Sequence, residues 1–210
     1  IIRESNQYKT AINAFKLQYD AIPGDFNEAE AYWGSTNNDD GDGDGRIQSW
    51  LDEPRYAWVH LSKAEVLNQE YQPMNTSGTC VANGQTANSH YPKSTYDAPD
   101  STSYAASSNG WFLFTNAAPA STDNYYNAYP NTLLFTYPHI SDNTNNCMSG
   151  RPLNSINAHK IDKKIDDGLP FTGKLWILFG SGATRCATAF ASNEYELSDT
   201  RTCGLRFPLE

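Results

Sequence analysis

Asp40, Asp42 and Asp44, followed by Gly45 and Ile47, spell D-x-D-x-D-G-x-I, the opening of an EF-hand calcium loop. Carboxylates at alternate positions can converge on one point, and the glycine allows the sharp turn. The carbonyl of Arg46 is the next expected ligand, and Ile47 is the expected anchor in the core. Leu51 stands where the loop's last acid belongs, so Asp52 or Glu53, just beyond it, is expected to supply that carboxylate. No helix pair flanks the loop as in an EF-hand, so the expectation is a structural Ca2+ clip and not a signalling sensor. The competing reading is a solvated Asp/Gly turn. Closely spaced acids without a cation repel one another, which weighs against it.

A second acidic group, Asp162, Asp166 and Asp167 before Gly168, falls at the expected carboxyl end of a helix, where it opposes the helix dipole. Amides of the turn 168–173, Lys163 or Lys164, or a second cation must offset that. Hydrogen-bonded turn carboxylates are the plainer reading. Catalytic patterns are mostly missing. His60, His90, His139 and His159 are scattered, with no HExxH pair. Gly180-Ser181-Gly182 lacks the leading glycine of a nucleophile elbow, and Gly173-Lys174 runs into Leu175, so no phosphate loop forms. Two acids brought together by folding could still make a glycosidase-like pair, which keeps an enzyme as the third reading. Tyr91, Tyr96, Tyr104, Tyr125, Tyr126 and Tyr129 could stack on sugars or fold back to pin their loops, and the two weigh evenly.

The elements that must position these groups are legible in part. Tyr8, Ile12, Phe15, Tyr19 and Ile22 recur at helical spacing, which predicts an amphipathic helix over 1–22 ended by Pro23-Gly24. Ile1-Ile2 fall inside that helix with no cap before them, as expected of a chain trimmed at its amino end, and both are expected to stay partly exposed. Asp25 is expected to cap a short turn through Glu28 and Tyr32. A second helix should begin near Asp52 with Pro54 in its first turn, turning Ala57, Leu61 and Ala64 inward. A third should run over 153–167, stopped by Gly168. Strands are expected at 111–115, 132–137, 174–180, 185–191 and 203–207. Residues 70–110 have no periodicity and read as an inserted surface excursion. The sum is an α+β domain whose sheet packs on the first helix, with long inserted loops.

Composition narrows the function classes. At 210 residues, 39% hydrophobic and 19% charged, the chain suits one globular domain and excludes a coiled coil or a disordered chain. Thirteen tyrosines against 2 methionines, with many Asn, Ser and Thr, suit a β-rich, externally exposed protein. A net charge of −9 and the lack of a Lys/Arg run argue against nucleic acid as a partner. Cys80, Cys147, Cys186 and Cys203 are widely spaced, with no CxxC metal or redox pair. An even count in so polar a chain favours two disulfides and an oxidising compartment over four cytosolic thiols. Of three possible pairings, Cys186 with Cys203 closes the short loop and leaves Cys80 with Cys147. No stretch approaches the roughly 20 apolar residues of a membrane span, and no signal peptide is visible.

Three stretches carry a family resemblance. They are Tyr8-Lys9-Thr10-Ala11-Ile12-Asn13-Ala14-Phe15, then Tyr19 to Phe26 with its Ile22-Pro23-Gly24-Asp25, and Ala31-Tyr32-Trp33-Gly34. Together with the aspartate loop, Ala57-Trp58-Val59-His60-Leu61 and Ile161 to Pro170, this pattern resembles prepilin-type proteins, the type IV pilins and type II secretion pseudopilins. The resemblance covers residues 3–67 and 160–176. It implies a pilin-like fold: residues 1–22 as the carboxyl half of the amino-terminal helix, and 23–210 as the head with an antiparallel sheet. It also implies a non-enzymatic filament subunit, a minor pilin or pseudopilin, whose partners are other such subunits. Its membrane-anchored precursor would sit in the inner membrane through a segment absent here, with the head periplasmic or extracellular. Some pseudopilins hold calcium in a loop near their sheet, and Asp40, Asp42 and Asp44 would be the candidates. The Cys186–Cys203 pair resembles the carboxyl-terminal disulfide loop of many pilins. The rival from another class is a calcium-dependent adhesin that binds a surface glycan.

Overall fold

The computed structural model describes residues 1–34, 39–47, 53–73, 89–96, 110–114, 131–136, 151–178, 186–187, 194–199 and 201–209. Helix α1 spans Ile2–Tyr19 and buries Glu4, Ser5, Tyr8, Ala11, Ile12 and Phe15. The expected stripe is therefore inward, with Tyr19 and Ile22 only partly buried at its edge. The helix stops three residues earlier than expected. Asp20 adopts the left-handed conformation (φ 51°) and its amide donates to the Lys16 carbonyl at 2.9 Å, so the chain has left the helix before Pro23. Ile1 and Ile2 are both partly buried, as expected, with Ile1 packed against the core. This end of α1 thus lies on the domain and does not stand clear of it.

Helix α2 (Ala29–Trp33) is a single short turn, and helix α3 (Glu53–Lys63) starts with Pro54 in its first turn. Ala57, Trp58 and Leu61 of α3 are fully buried. Tyr8 of α1 meets Trp58 edge-on at 5.2 Å, which joins the two helices through ring packing.

The sheet is antiparallel. Strands β1 (Gly110–Phe114), β2 (Thr132–Thr136), β3 (Leu153–Asn154), β4 (Trp176–Leu178) and β5 (Arg201–Pro208) are arranged β1-β2-β5-β3, with β4 also on β5. Leu205 and Arg206 pair with β2 on one side and with β4 on the other, so β5 is the hub. Every residue of β2 and residues 203–208 of β5 are buried, which requires cover on both faces. Tyr8 lies 5.7 Å from Trp111 of β1, and the Lys9 ammonium stands over the Phe207 ring at 5.7 Å; α1 reaches the sheet through these contacts. Helix α4 (Ser155–Ile165) packs on β3 and β5. Its N-cap is Asn154, whose side chain accepts from the Asn157 amide at 2.8 Å, so Leu153 is extended and not helical.

The coarse expectation, mixed helix and antiparallel sheet, is met. Four of the expected strands appear within a few residues of their places; of 185–191 the described part is Cys186 and Ala187, the latter bridged to Tyr195. The Cys186–Cys203 disulfide is present and buried, with 5.2 Å between its Cα atoms. Cys80 and Cys147 lie outside the described residues. The excursion 70–110 is not wholly a surface feature. In its described part, Lys93 bridges to Gly110, Tyr91 is buried, and Tyr96 packs against Phe135 at 6.1 Å. Those two tyrosines pin the chain to the core; Tyr104, Tyr125, Tyr126 and Tyr129 fall outside the described residues.

Ser94 and Thr95 of the same segment explain an acid in the inner stripe of α1. Glu4, in helical phase with Tyr8, is 9% exposed. Its Oε1 accepts from the Thr95 amide at 2.7 Å and from the Thr95 hydroxyl. Its Oε2 accepts from the Ser94 hydroxyl at 2.7 Å and Trp111 Nε1 at 2.9 Å. Burial pushes this carboxyl up, but the four donors outweigh it and hold it below the ordinary value. Among the described residues no helix is long and apolar enough to cross a membrane.

Candidate metal centre

The turn after α1 sets up the acidic loop. Gly24 takes φ +101°, and a Cβ there would meet the Glu53 carbonyl oxygen at 2.7 Å, so only glycine lets this turn press on the start of α3. The next residue, Asp25, is 2% exposed and forms the floor on which the loop folds. Its Oδ1 accepts from the amides of Gly43 (2.9 Å) and Asp44 (3.1 Å), and its Oδ2 accepts from the Gly45 amide (2.8 Å). Its carbonyl takes a further bond from the Gly43 amide. Gly41 passes so close to the Asp25 backbone that a side chain there would collide with it.

The loop carboxylates then divide. Asp42 Oδ1 accepts from the Asp44 amide at 3.1 Å, and Asp44 Oδ1 accepts from the Arg46 amide at 2.9 Å. One oxygen each from Asp25, Asp42 and Asp44 comes within 4.8 Å of the others. Asp40 is not in this group. Its Oδ1 accepts from the Glu30 amide at 2.8 Å and so caps α2 from across the loop. The expected capping role of Asp25 thus belongs to Asp40, and Asp25 stands in the carboxylate triple where Asp40 was expected. Glu53 accepts from the Asp42 amide at 3.2 Å and holds the loop to α3; Asp52 lies outside the described residues. Arg46 enters through its amide. Ile47 is buried as expected, its amide donating to Asn131 Oδ1, while Asn131 Nδ2 donates to the Gly45 carbonyl.

Electrostatics mark the floor residue. Burial pushes the Asp25 carboxyl up to about 6; the Gly45 and Gly43 amides pull it down, and Asp44 and Asp42 push it up again. Three carboxylates this close, with an all-oxygen donor set, suit a hard divalent cation such as calcium. His60 is the other functional residue that sequence pattern missed. Its Nδ1 accepts from the Gly24 amide and its Nε2 donates to the Asp39 carbonyl, both at 2.9 Å, so the neutral ring latches turn to loop. Burial holds this imidazole down at about 4, against the pull of Asp39 and Asp40. The signal for both residues was their place at element ends, Asp25 after a Pro-Gly turn and His60 on the inner face of a helix. Neither identity is a ligand pattern by itself.

Tyr19, Ile22, Phe26 and Asn27 line a cavity of about 370 Å³ that opens beside Asp25, Gly43 and Gly45. Tyr32, 60% exposed, stands 5.4 Å from Phe26 at the edge of the same aromatic group. Neither family models, curated protein sequences nor solved structures give a significant match to this chain.

Proposed function

We propose that this chain is the head of a filament-forming subunit of the pilin or pseudopilin class, without catalysis of its own, stiffened by calcium in the loop of Asp25, Asp42 and Asp44. The observation that carries the reading is α1, an amino-terminal helix of 18 residues that lays one continuous stripe on the domain and leaves its other face outward. Its two ends differ in shape. Leu17 protrudes near one end, 89% exposed, and an open groove of about 750 Å³ lies at the other. Ile1, Ile2, Tyr96 and Ile161 give that groove an apolar wall. A knob and a groove at opposite ends of one helix suit a head-to-tail contact between copies, the geometry that builds filaments and not closed dimers. In the pilin class α1 would be the carboxyl half of a longer helix, and the head would sit outside the cytoplasm on a membrane-anchored precursor.

The coding sequence upstream of Ile1 tests this. The expected finding is an uninterrupted apolar stretch of roughly 20 residues in phase with α1, preceded by a short basic leader. A polar linker or a start codon in its place overturns the proposal. A second reading, the calcium-dependent glycan-binding adhesin, has in its favour the largely polar cavity beside the Asp25 loop, with Tyr19 and Phe26 in its wall. It would gain from calcium-dependent retention on immobilised glycans.

A further inference from the structure

We propose a second hard-cation site, at the carboxyl end of α4, built from Asp162, Asp166 and Asp167. One oxygen from each of these carboxylates lies within 4.8 Å of the others. Two of the three are held in place by the turn that follows. Asp166 Oδ2 accepts from the amides of Lys174 and Leu175, and a side chain on Gly173 would collide with that carboxylate. Asp167 accepts from the Leu169 amide at 2.8 Å and the Thr172 hydroxyl at 2.6 Å. Such bonds are what any turn carboxylate makes, and they name no ligand.

Asp162 is different. It is fully buried, and its Oδ2 accepts from the Tyr195 hydroxyl at 2.7 Å. Its Oδ1 is also buried and has no hydrogen-bond partner among the described residues. The Gly168 amide lies near enough to act on the charge, but it makes no bond to that oxygen. Among the described residues no Lys or Arg nitrogen comes within 4.0 Å of any of the three carboxylates. A buried carboxylate oxygen without a donor is costly, and three acids at the negative end of a helix dipole add to the cost. A divalent cation removes both at once, since it takes six to eight oxygen ligands and needs no histidine or cysteine. The all-carboxylate set supplied by the chain suits calcium, whereas the smaller, more strictly octahedral magnesium keeps several of its waters.

The test separates this site from the loop site. In the Asp42→Asn/Asp44→Asn chain, calcium chloride should still raise the thermal midpoint, by roughly 5–10 °C at about a hundredfold excess over Kd. Adding Asp162→Asn should abolish that rise. In chelator the order should reverse, the Asp162→Asn chain melting at or above its parent, because the buried charge is gone. A merely structural aspartate would not produce this crossing. Asp167→Asn, at an exposed position, is the second variant and should also remove the calcium response if Asp162→Asn does not fold. A calcium rise that survives both substitutions, or no rise at all in the Asp42→Asn/Asp44→Asn chain, overturns the proposal.

Discussion

Glu4 and Asp162 are both carboxylates on the inner face of a helix, one in α1 and one in α4, and the protein treats them in opposite ways. Glu4 receives four hydrogen bonds from Ser94, Thr95 and Trp111, and its acidity rises despite burial. Asp162 receives one, from Tyr195. Burial pushes it up to about 6, with Asp167 and Asp166 adding to that against the Tyr195 bond. Burial therefore does not decide what an acid is for; the supply of donors does. Glu4 is completed by its own chain and holds the 89–96 segment and β1 to α1. Asp162 is left incomplete beside two more acids, the arrangement expected of a site that something else completes.

The largest effect should come from breaking the completed carboxylate. Glu4→Ala leaves the buried Trp111 Nε1 and Ser94 hydroxyl without their acceptor, and should cost about 3 kcal/mol or more, read from denaturant unfolding. A cost under about 1 kcal/mol would mean that the network does not hold the segment. Asp162→Asn in chelator should cost nothing or slightly stabilise, so one substitution destabilises the fold and the other does not.

A third buried group sharpens the comparison through pH. His60 is neutral in the fold, held at about 4, while in the unfolded chain it titrates at 6.5. A depressed base binds fewer protons folded than unfolded, so its contribution is complete above pH 6.5 and is lost as pH falls toward 4. The full loss is about 3 kcal/mol. Acids held high, such as Asp25 and Asp162, push the opposite way, gaining stability as pH falls through about 6. The slope difference between the native chain and His60→Gln between pH 6.5 and 4 therefore isolates the histidine. Equal slopes would show that the ring is not buried neutral.

What was legible in the sequence follows from whether a feature is local. The α1 stripe, the Pro54 start of α3 and the positions of β1, β2 and β5 rest on periodicity and turn chemistry, which are local. The end of α1 was not legible, because Asp20 in the left-handed region is a choice that several residues can make. In the loop, Asp42 and Asp44 could be read from spacing. Asp25 could not, since it comes from an earlier turn and meets the loop only after folding. Asp40 fits the ligand pattern equally well but is drawn away by the unsatisfied amide of Glu30. Glu4 did carry a sign, a charge in phase with Tyr8, yet its donors lie about 90 and 107 residues further along the chain.

A cation that completes the acids left incomplete by the protein must stabilise the folded chain. The measurement is the thermal midpoint of the native chain in chelator and in millimolar calcium chloride. The expected result is a fall of roughly 5 °C or more on chelation, recovered when calcium is restored, since a ligand bound only to the folded state stabilises by about 2.7 kcal/mol at a hundredfold excess over Kd. The same midpoint in both solutions would contradict it.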